Sequence, residues 1–413
     1  MVLALVPLSV WSQSNDRRRF DSDVFVKGRL IDQEVQRALW HSGRFHASPI
    51  IGLRSLGYDS NVFSTEFQEE EDFSASPEVG IQTYVRFSPQ WILATNATVN
   101  YLYYQDLDQL NGTEWGAQTR LYGIFKKVYF DIGGEYRRDR SRINSEVDER
   151  VLSRKQTADL NLVIQPTPRG HLTFTPSFYS FEFDEEFEGL GADLSVLDRD
   201  ESEGVLQYLH KVNPRFWPFV EASVRRFDFS SPGNLRDDSA IAALYFGARN
   251  EFDRRFHYNV KIGQEALRFD LASQIDDDVV STRTYLAYKV TRRWDVLGGG
   301  HQYPVFSLTR DYGYYLSQRL FFGFGYRFKG NVRVGPEFSA GRNDYERPFD
   351  FQRVSQLRQD DILSANVGIR FPVGQILEWE IQLGYSERDV NLPGLSDEGI
   401  TVFSDVTYRF DGQ

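Results

Sequence analysis

The feature that most constrains this chain is an alternation of apolar and polar residues that begins near His46 and continues almost to the C-terminus. The clearest run alternates apolar Leu377, Trp379, Ile381, Leu383 and Tyr385 with polar Glu378, Glu380, Gln382, Ser386 and Arg388. Successive side chains of a β-strand point to opposite faces, so such a run predicts a strand with one apolar and one polar face. Runs of roughly 9 to 15 residues recur along the chain, and no helical period competes with them over most of its length.

The connections between these runs are of two alternating kinds. Eight are short and rich in Pro, Gly, Asn or basic residues: 88–90, 126–127, 166–170, 213–215, 253–255, 292–293, 329–331 and 372–374. The connections between them are longer, polar and often acidic: 66–73, 139–150, 185–201, 230–238, 272–278 and 343–360. This asymmetry is typical of bacterial outer-membrane barrels, in which the short turns are periplasmic and the long loops are extracellular.

Together these patterns predict an all-β fold: a transmembrane, antiparallel, up-and-down β-barrel of about eighteen strands in the bacterial outer membrane. The stretch Tyr312–Phe328 is ambiguous, so a barrel of about sixteen strands is the alternative count. Aromatic residues cluster at the ends of the runs, where the two interfaces of a bilayer would lie. A soluble β-sandwich, the competing architecture, would instead place its aromatic residues in mid-strand on one face.

Composition excludes several other classes of protein. After the first residues, no uninterrupted apolar stretch approaches the ~20 residues that a membrane-spanning helix needs. The 59 acidic and 47 basic residues give a net charge of −12, which disfavours a nucleic-acid partner. The chain has no cysteine, so a thiol nucleophile, a disulfide and a cysteine-ligated metal are all excluded.

Three segments are predicted along the chain. Residues 1–14 are apolar and end in Ser-Gln-Ser, which is typical of the last part of a secretory signal peptide cleaved near Ser12–Ser14; a short buried strand or helix is the alternative. Residues 15–45 lack the alternation and are predicted to form a short periplasmic lead with weak helical character over Asp32–Trp40. Residues 46–413 are predicted to form the barrel.

A short motif lies where the first strand is expected to enter the first long loop: Gly57, Tyr58, Asp59, Ser60, Asn61, Val62 and Phe63. Asp59, Ser60 and Asn61 are residue types that tie a strand end into a loop through Asx-type hydrogen bonds, a role that competes here with contact to a ligand. The motif resembles the Asp-Ser-Asn-Val signature of the β-barrel porin 2 family, which includes outer-membrane proteins encoded with exopolysaccharide biosynthesis and export genes. The resemblance extends to strand rhythm and chain size, and it implies an outer-membrane pore or export partner for polysaccharide.

The residues give no basis for an enzyme, a metal site or a cofactor, and none is predicted. No motif of a serine hydrolase, a zinc protease or a phosphate-binding loop occurs. His257 and His301 have no acid or nucleophile placed beside them by spacing, so interface or lumen positions are the better interpretation. The acidic runs Glu69–Asp72 and Asp276–Asp278 lack the spacing of a calcium-binding loop and are interpreted as solvated loops.

Charged residues on the polar faces of the predicted strands are candidates to line a lumen: Arg86, Arg120, Glu135, Arg137, Glu221, Arg225, Lys261, Glu265, Arg283, Lys289, Glu337, Arg370, Glu378, Glu380 and Arg388. Both signs of charge occur, whereas a strongly ion-selective pore would show a ring of one sign. Mixed charges beside Tyr and Asn offer hydrogen bonds and stacking to a sugar chain. Alternatively, opposite charges pair across neighbouring strands and stiffen the wall.

The leading functional hypothesis is a passive conduit that serves exopolysaccharide export. A general or solute-specific porin and a non-conducting structural or adhesive surface barrel are the alternatives. The expected partners are outer-membrane lipid and lipopolysaccharide, polysaccharide together with periplasmic export components, and the barrel-assembly machinery. The ending Tyr408-Arg409-Phe410 offers that machinery the aromatic residues it usually meets at the end of a barrel.

Overall fold

The computed structural model describes residues 24–64, 66, 69–142, 150–184, 186–187, 192–193, 197–230, 238–250, 255–270, 276–307, 313–351, 354–373, 377–392 and 394–409. The predicted cleavage of a signal peptide near Ser12–Ser14 lies outside these residues.

Eighteen long strands form one closed sheet in the described part of the chain. In chain order they are β1 (Phe45–Asp59), β2 (Asp72–Ser88), β3 (Trp91–Tyr104), β4 (Gly112–Ile124), β5 (Val128–Arg142), β6 (Arg150–Ile164), β7 (Gly170–Phe183), β8 (Arg199–His210), β9 (Trp217–Phe229), β10 (Ser239–Arg249), β11 (Phe256–Phe269), β12 (Asp277–Lys289), β13 (Trp294–Phe306), β14 (Tyr314–Arg327), β15 (Arg333–Phe351), β16 (Val354–Val373), β17 (Leu377–Val390) and β18 (Asp397–Arg409). Neighbouring strands are antiparallel, and β18 pairs with β1, so this sheet has no open edge. The structure confirms the predicted up-and-down barrel of eighteen strands, to which the ambiguous stretch Tyr312–Phe328 contributes the single strand β14.

The alternation in the sequence becomes a difference between the two faces of this wall. Large apolar side chains on one face are exposed, for example Val79 at 56% and Ile262 at 55%. The residues just before them, Glu78 and Lys261, are charged and lie on the other face.

The second face is the concave one. Phe227 of β9 and Phe306 of β13 both lie on it, and their ring centroids approach to 4.9 Å although their strands are not neighbours. Arg120 of β4 reaches Asp159 of β6 across the intervening strand at 2.7 Å. Side chains of such separated strands meet only where the wall curves toward them, so we call this the inner face.

The two ends of the barrel differ in their connections. The end called here the turn end carries the short ones: 89–90, 125–127, 165–169, 211–216, 250–255, 290–293, 328–332 and 374–376. The opposite end, called the loop end, carries the connections 60–71, 105–111, 143–149, 184–198, 230–238, 270–276, 307–313, 352–353 and 391–396. The turns predicted from Pro, Gly and Asn all fall at the turn end.

One predicted loop is wrong. Residues 343–360 were expected to form a long loop, but β15 and β16 continue through most of this range and are joined only by residues 352–353. Cross-strand polar contacts join the two strands here, since Gln359 Nε2 donates to Asp344 Oδ1 at 2.8 Å, while Tyr345 is buried against Tyr315. Such a hairpin lacks the regular apolar alternation that marks the other strands in the sequence.

A single α-helix is described, α1 (Val24–Arg37), and it precedes the barrel. It covers part of the predicted helical stretch Asp32–Trp40 but begins earlier and ends at Arg37. A three-residue strand, Trp40–Ser42, then pairs with the start of β1 through a turn at Gly43, where φ is 60°. Among the described residues, no helix combines the length and apolar character needed to cross a bilayer.

Candidate functional site: the inner face and its two ends

In the register of the sheet, the charged residues predicted to line a lumen all occupy inner-face positions. Which of them a solute meets stays a prediction. The structure does determine which of these charges meet one another, and most of them are engaged in ion pairs.

Arg120 forms the most complete of these ion pairs. Its guanidinium forks onto Asp159, with Nη1 and Nη2 each 2.7 Å from a carboxylate oxygen, and it also contacts Asp131 on the adjacent strand. Asn161 Nδ2 donates to the remaining oxygen of Asp131 at 3.0 Å. A planar guanidinium matches carboxylates in this two-pronged geometry, so the cluster fastens β4, β5 and β6 together. Neither Asp131 nor Asp159 was among the predicted residues, although both follow the same alternation.

Several other candidates are held in the same way. The ion pairs are Lys261 with Glu221 (Nζ to Oε1, 2.6 Å), Arg370 with Glu378 (3.1 Å) and Glu380 (2.7 Å), Arg388 with Asp397 (2.6 Å), Arg137 with Glu135 (3.3 Å), and Arg225 with Glu201. Glu265 accepts a hydrogen bond from the hydroxyl of Tyr245. Opposite charges on neighbouring strands stabilise a sheet, so this part of the inner face is internally compensated.

Three candidates differ from this pattern. Within the described part of the chain, Arg283, Lys289 and Glu337 make no ion pair. Lys289 is exposed at the turn end, whereas Glu337 is buried. The guanidinium carbon of Arg283 lies 4.6 Å from the centroid of the Tyr303 ring. Arg319 shares their lack of an ion pair among the described residues; it was not predicted, because it lies in the stretch whose strand assignment was ambiguous.

Helix α1 occupies the inner face at the turn end. Ile31 and Val35, one helical turn apart, are buried there. They belong to a single apolar cluster with inner-face residues of five consecutive strands, Tyr84, Ile92, Tyr122, Tyr129 and Val163. Gly28 brings the helix backbone so close to the wall that a Cβ there would lie 2.7 Å from Ile124 Cγ2.

Polar contacts add to this packing. Tyr84 donates a hydrogen bond to Glu34 Oε2 at 3.3 Å, and Arg86 forms an ion pair with Asp32. The segment expected to be a periplasmic lead therefore places its helix within the mouth of the barrel. The spacing of Ile31 and Val35 is the sequence signal that marks an apolar stripe on the helix.

The motif Gly57–Phe63 lies at the loop end, on the seam where the barrel closes. Asp59 Oδ1 accepts the backbone N–H of Asn61 at 3.1 Å, which is an Asx turn. Ser60 Oγ accepts the N–H of Ile400 at 2.8 Å, and Asn61 Nδ2 donates to the carbonyl of Glu398 at 3.0 Å. The motif therefore ties the end of β1 to β18.

The acidic run Glu69–Asp72 is partly structural. Asp72 is buried, and its carboxylate accepts the backbone N–H groups of Gln105 (3.2 Å), Asp106 (3.1 Å) and Leu107 (2.8 Å). This carboxylate therefore fixes the neighbouring connection 105–111. No group of three or more His, Asp or Glu residues in the described ranges is arranged to hold a metal ion.

Comparisons with known proteins bear on the fold. No family model and no curated protein matches the chain, so the resemblance to the β-barrel porin 2 family stays a prediction. Solved structures do match. OccK3 (OpdO) of Pseudomonas aeruginosa is 10% identical, with a TM-score of 0.51 over 88% of this chain and 96% of its own.

Two further structures give the same result. OccAB4 of Acinetobacter baumannii is 12% identical, with a TM-score of 0.50 over 88% of this chain and 98% of its own. The apoprotein form of the FrpB iron transporter of Neisseria meningitidis is 8% identical, with a TM-score of 0.53 over 87% of this chain, which spans only 63% of that transporter. At these identities, what the chain shares with these proteins is the β-barrel fold.

Proposed function

We propose that the protein is a channel of the bacterial outer membrane that lets hydrophilic solutes pass passively. The observation that carries the proposal is the contrast between the two faces of a closed wall. Exposed apolar side chains such as Val79 suit the hydrocarbon of a bilayer, whereas exposed charged side chains such as Arg137 on the inner face suit water. A fold shared with an iron transporter also supports this proposal.

We further propose carbohydrate as the cargo, with exopolysaccharide export as the first candidate. Support for export comes from the resemblance of the motif Gly57–Phe63. Inner-face charges of both signs, together with the partly exposed rings of Tyr285 and Phe321, offer hydrogen bonds and ring contacts to a sugar chain. A porin for small solutes is the second candidate, and the compensated ion pairs of the wall suit it equally well.

Conductance tests the channel. The purified full chain is inserted into a planar lipid bilayer, and stepwise current is expected from single insertions. Because α1 lies in the mouth, the variant Ile31→Ala/Val35→Ala is measured beside the wild type. Silence of both proteins, with heat-modifiable mobility showing that both are folded, would contradict a channel and favour the structural or adhesive barrel.

Deletion of the gene tests the cargo. Export predicts that surface polysaccharide falls and that polymer accumulates in the periplasm, with both effects reversed by the wild-type gene. Unchanged surface polysaccharide, together with loss of uptake of a small sugar, would reject export and favour a porin.

A further inference from the structure

Four consecutive strands carry a basic or imidazole side chain at the same level of the inner face. In the register of the sheet, Lys261 of β11 lies directly opposite Arg283 of β12. Arg283 lies opposite His301 of β13, and His301 lies opposite Arg319 of β14. We call these four residues the basic row. Residues directly opposed across neighbouring strands have Cβ atoms about 4.5–5.5 Å apart, and like charges at that distance destabilise a sheet.

Only one end of the basic row is compensated. Lys261 is paired with Glu221, and nearby Arg225 is paired with Glu201. Arg283 and Arg319 make no ion pair and donate no side-chain hydrogen bond within the described part of the chain, and Arg283 Nε is buried without a hydrogen-bond partner. The other inner-face arginines in the predicted set, Arg120 and Arg370 for example, are held by carboxylates. A purely structural role therefore does not explain Arg283 and Arg319.

Aromatic rings flank the basic row on both sides. On the side of the loop end, Arg283 lies 4.6 Å from the Tyr303 ring centroid and the His301 ring lies 4.8 Å from it. On the side of the turn end, Tyr285 and Phe321 lie 6.3 Å apart between centroids. The Arg283 guanidinium thus lies against the Tyr303 ring, and the basic row has aromatic residues on both sides of it along the inner face.

We propose that the basic row binds the carboxylate of an acidic sugar. Guanidinium groups hold carboxylates through paired, charge-assisted hydrogen bonds, which neutral sugars cannot form. The flanking rings offer apolar surface to the sugar ring beside that carboxylate. The inference deepens the proposed function, on which it rests, by naming the charge class of the cargo.

Binding is measured apart from conduction. The full chain in detergent micelles is titrated calorimetrically with sodium glucuronate, and with glucose as the neutral control. Glucuronate is expected to bind and glucose is not. In Arg283→Gln/Arg319→Gln the dissociation constant should rise about tenfold or more, because charge-assisted hydrogen bonds are lost.

Two matched variants separate the site from general effects. Arg370→Gln removes an inner-face arginine that is already paired and should leave glucuronate binding unchanged. Arg283→Lys/Arg319→Lys keeps the charge but loses the planar fork and should bind with intermediate affinity. Titration with trigalacturonate distinguishes an acidic polymer from a free acidic sugar as the cargo. Tighter binding of trigalacturonate than of glucuronate indicates an acidic polymer, and equal affinity indicates a free acidic sugar.

Glucuronate binding that is absent in the wild type, or equal in the wild type and Arg283→Gln/Arg319→Gln, would overturn the inference even if the barrel conducts. Binding by a barrel that conducts no ions would support the site and count against the channel.

Discussion

The hydroxyl of Tyr84, on the inner face of β2, donates a hydrogen bond of 3.3 Å to Glu34 of helix α1. With the ion pair between Arg86 and Asp32, it holds the helix against the wall at the turn end. A 14-residue helix is marginal on its own in water, so α1 depends on these contacts. How far the turn end of the barrel is open therefore depends on how well α1 packs against the inner face.

Replacing Ile31 by Ala is expected to loosen α1. Ile31 is 1% exposed in its apolar cluster, and loss of such a side chain costs about 2–5 kcal/mol. If the docked helix narrows the mouth, single-channel conductance in planar bilayers should rise. Gln33→Ala, at an exposed position of the same helix, is the control and should leave conductance unchanged. Equal conductance of wild type and Ile31→Ala would show that the helix does not limit flow.

Replacing Gly57 by Ala should weaken the closing seam of the barrel. A Cβ at this position would overlap the carbonyl oxygen of Val402 and lie 2.8 Å from Phe403 Cα, both on β18. Forcing the strands apart is expected to cost about 1–3 kcal/mol. The expected result is a lower temperature at which the folded band disappears in heat-modifiable electrophoresis.

Gly204→Ala is the matched control for the seam. No atom lies within 4 Å of a Cβ built at Gly204, so its melting should match that of the wild type. A Gly57→Ala barrel that melts with the wild type would mean that β1 and β18 adjust without cost.

The wall was predictable from sequence because alternation is a local signal. Each strand has to present an apolar face outward, and Leu377 to Leu383 record this requirement within a few residues. The same rule placed Arg120 and Lys261 on the inner face. It failed for 343–360, where polar residues such as Asp344 and Gln359 meet across β15 and β16 and apolar residues are too sparse to alternate regularly.

The pairings on the inner face were not predictable in this way. Whether Arg120 meets Asp159, or Arg283 lies opposite His301, depends on the register between strands, which a single strand does not encode. The helical stretch Asp32–Trp40 was predicted in part, but the docking of α1 was not: the spacing of Ile31 and Val35 marks an apolar stripe and does not identify the wall that covers it. Both the ion-pair partners and the surface that covers α1 are set by contacts between residues far apart in the chain.

Replacing Asp72 by Asn should free the connection 105–111. The Asp72 carboxylate accepts backbone N–H groups from Gln105, Asp106 and Leu107, and hydrogen bonds to a charged group contribute about 1.5–3 kcal/mol. Faster cleavage of the connection by a protease added to intact cells is expected. Asp106→Asn, at an exposed carboxylate in the same connection, should be cleaved at the wild-type rate. Resistance of Asp72→Asn would mean that the connection is held mainly by the buried Leu107 and Leu110.

Replacing Arg120 by Gln should destabilise the barrel more than any exchange of an exposed inner-face arginine. The variant leaves Asp131 and Asp159 without their shared cation; the Asp131 side chain is 9% exposed, and breaking such a buried pair costs about 3–5 kcal/mol. Urea unfolding in lipid vesicles, followed by tryptophan fluorescence, measures the loss. Arg137→Gln is the control, because Arg137 is 53% exposed and its pair with Glu135 contributes about 0–1 kcal/mol. Equal free energies of unfolding for the two variants would mean that water reaches the ion pairs of Arg120 with Asp131 and Asp159. The inner face would then be hydrated even at its most buried ion-pair cluster.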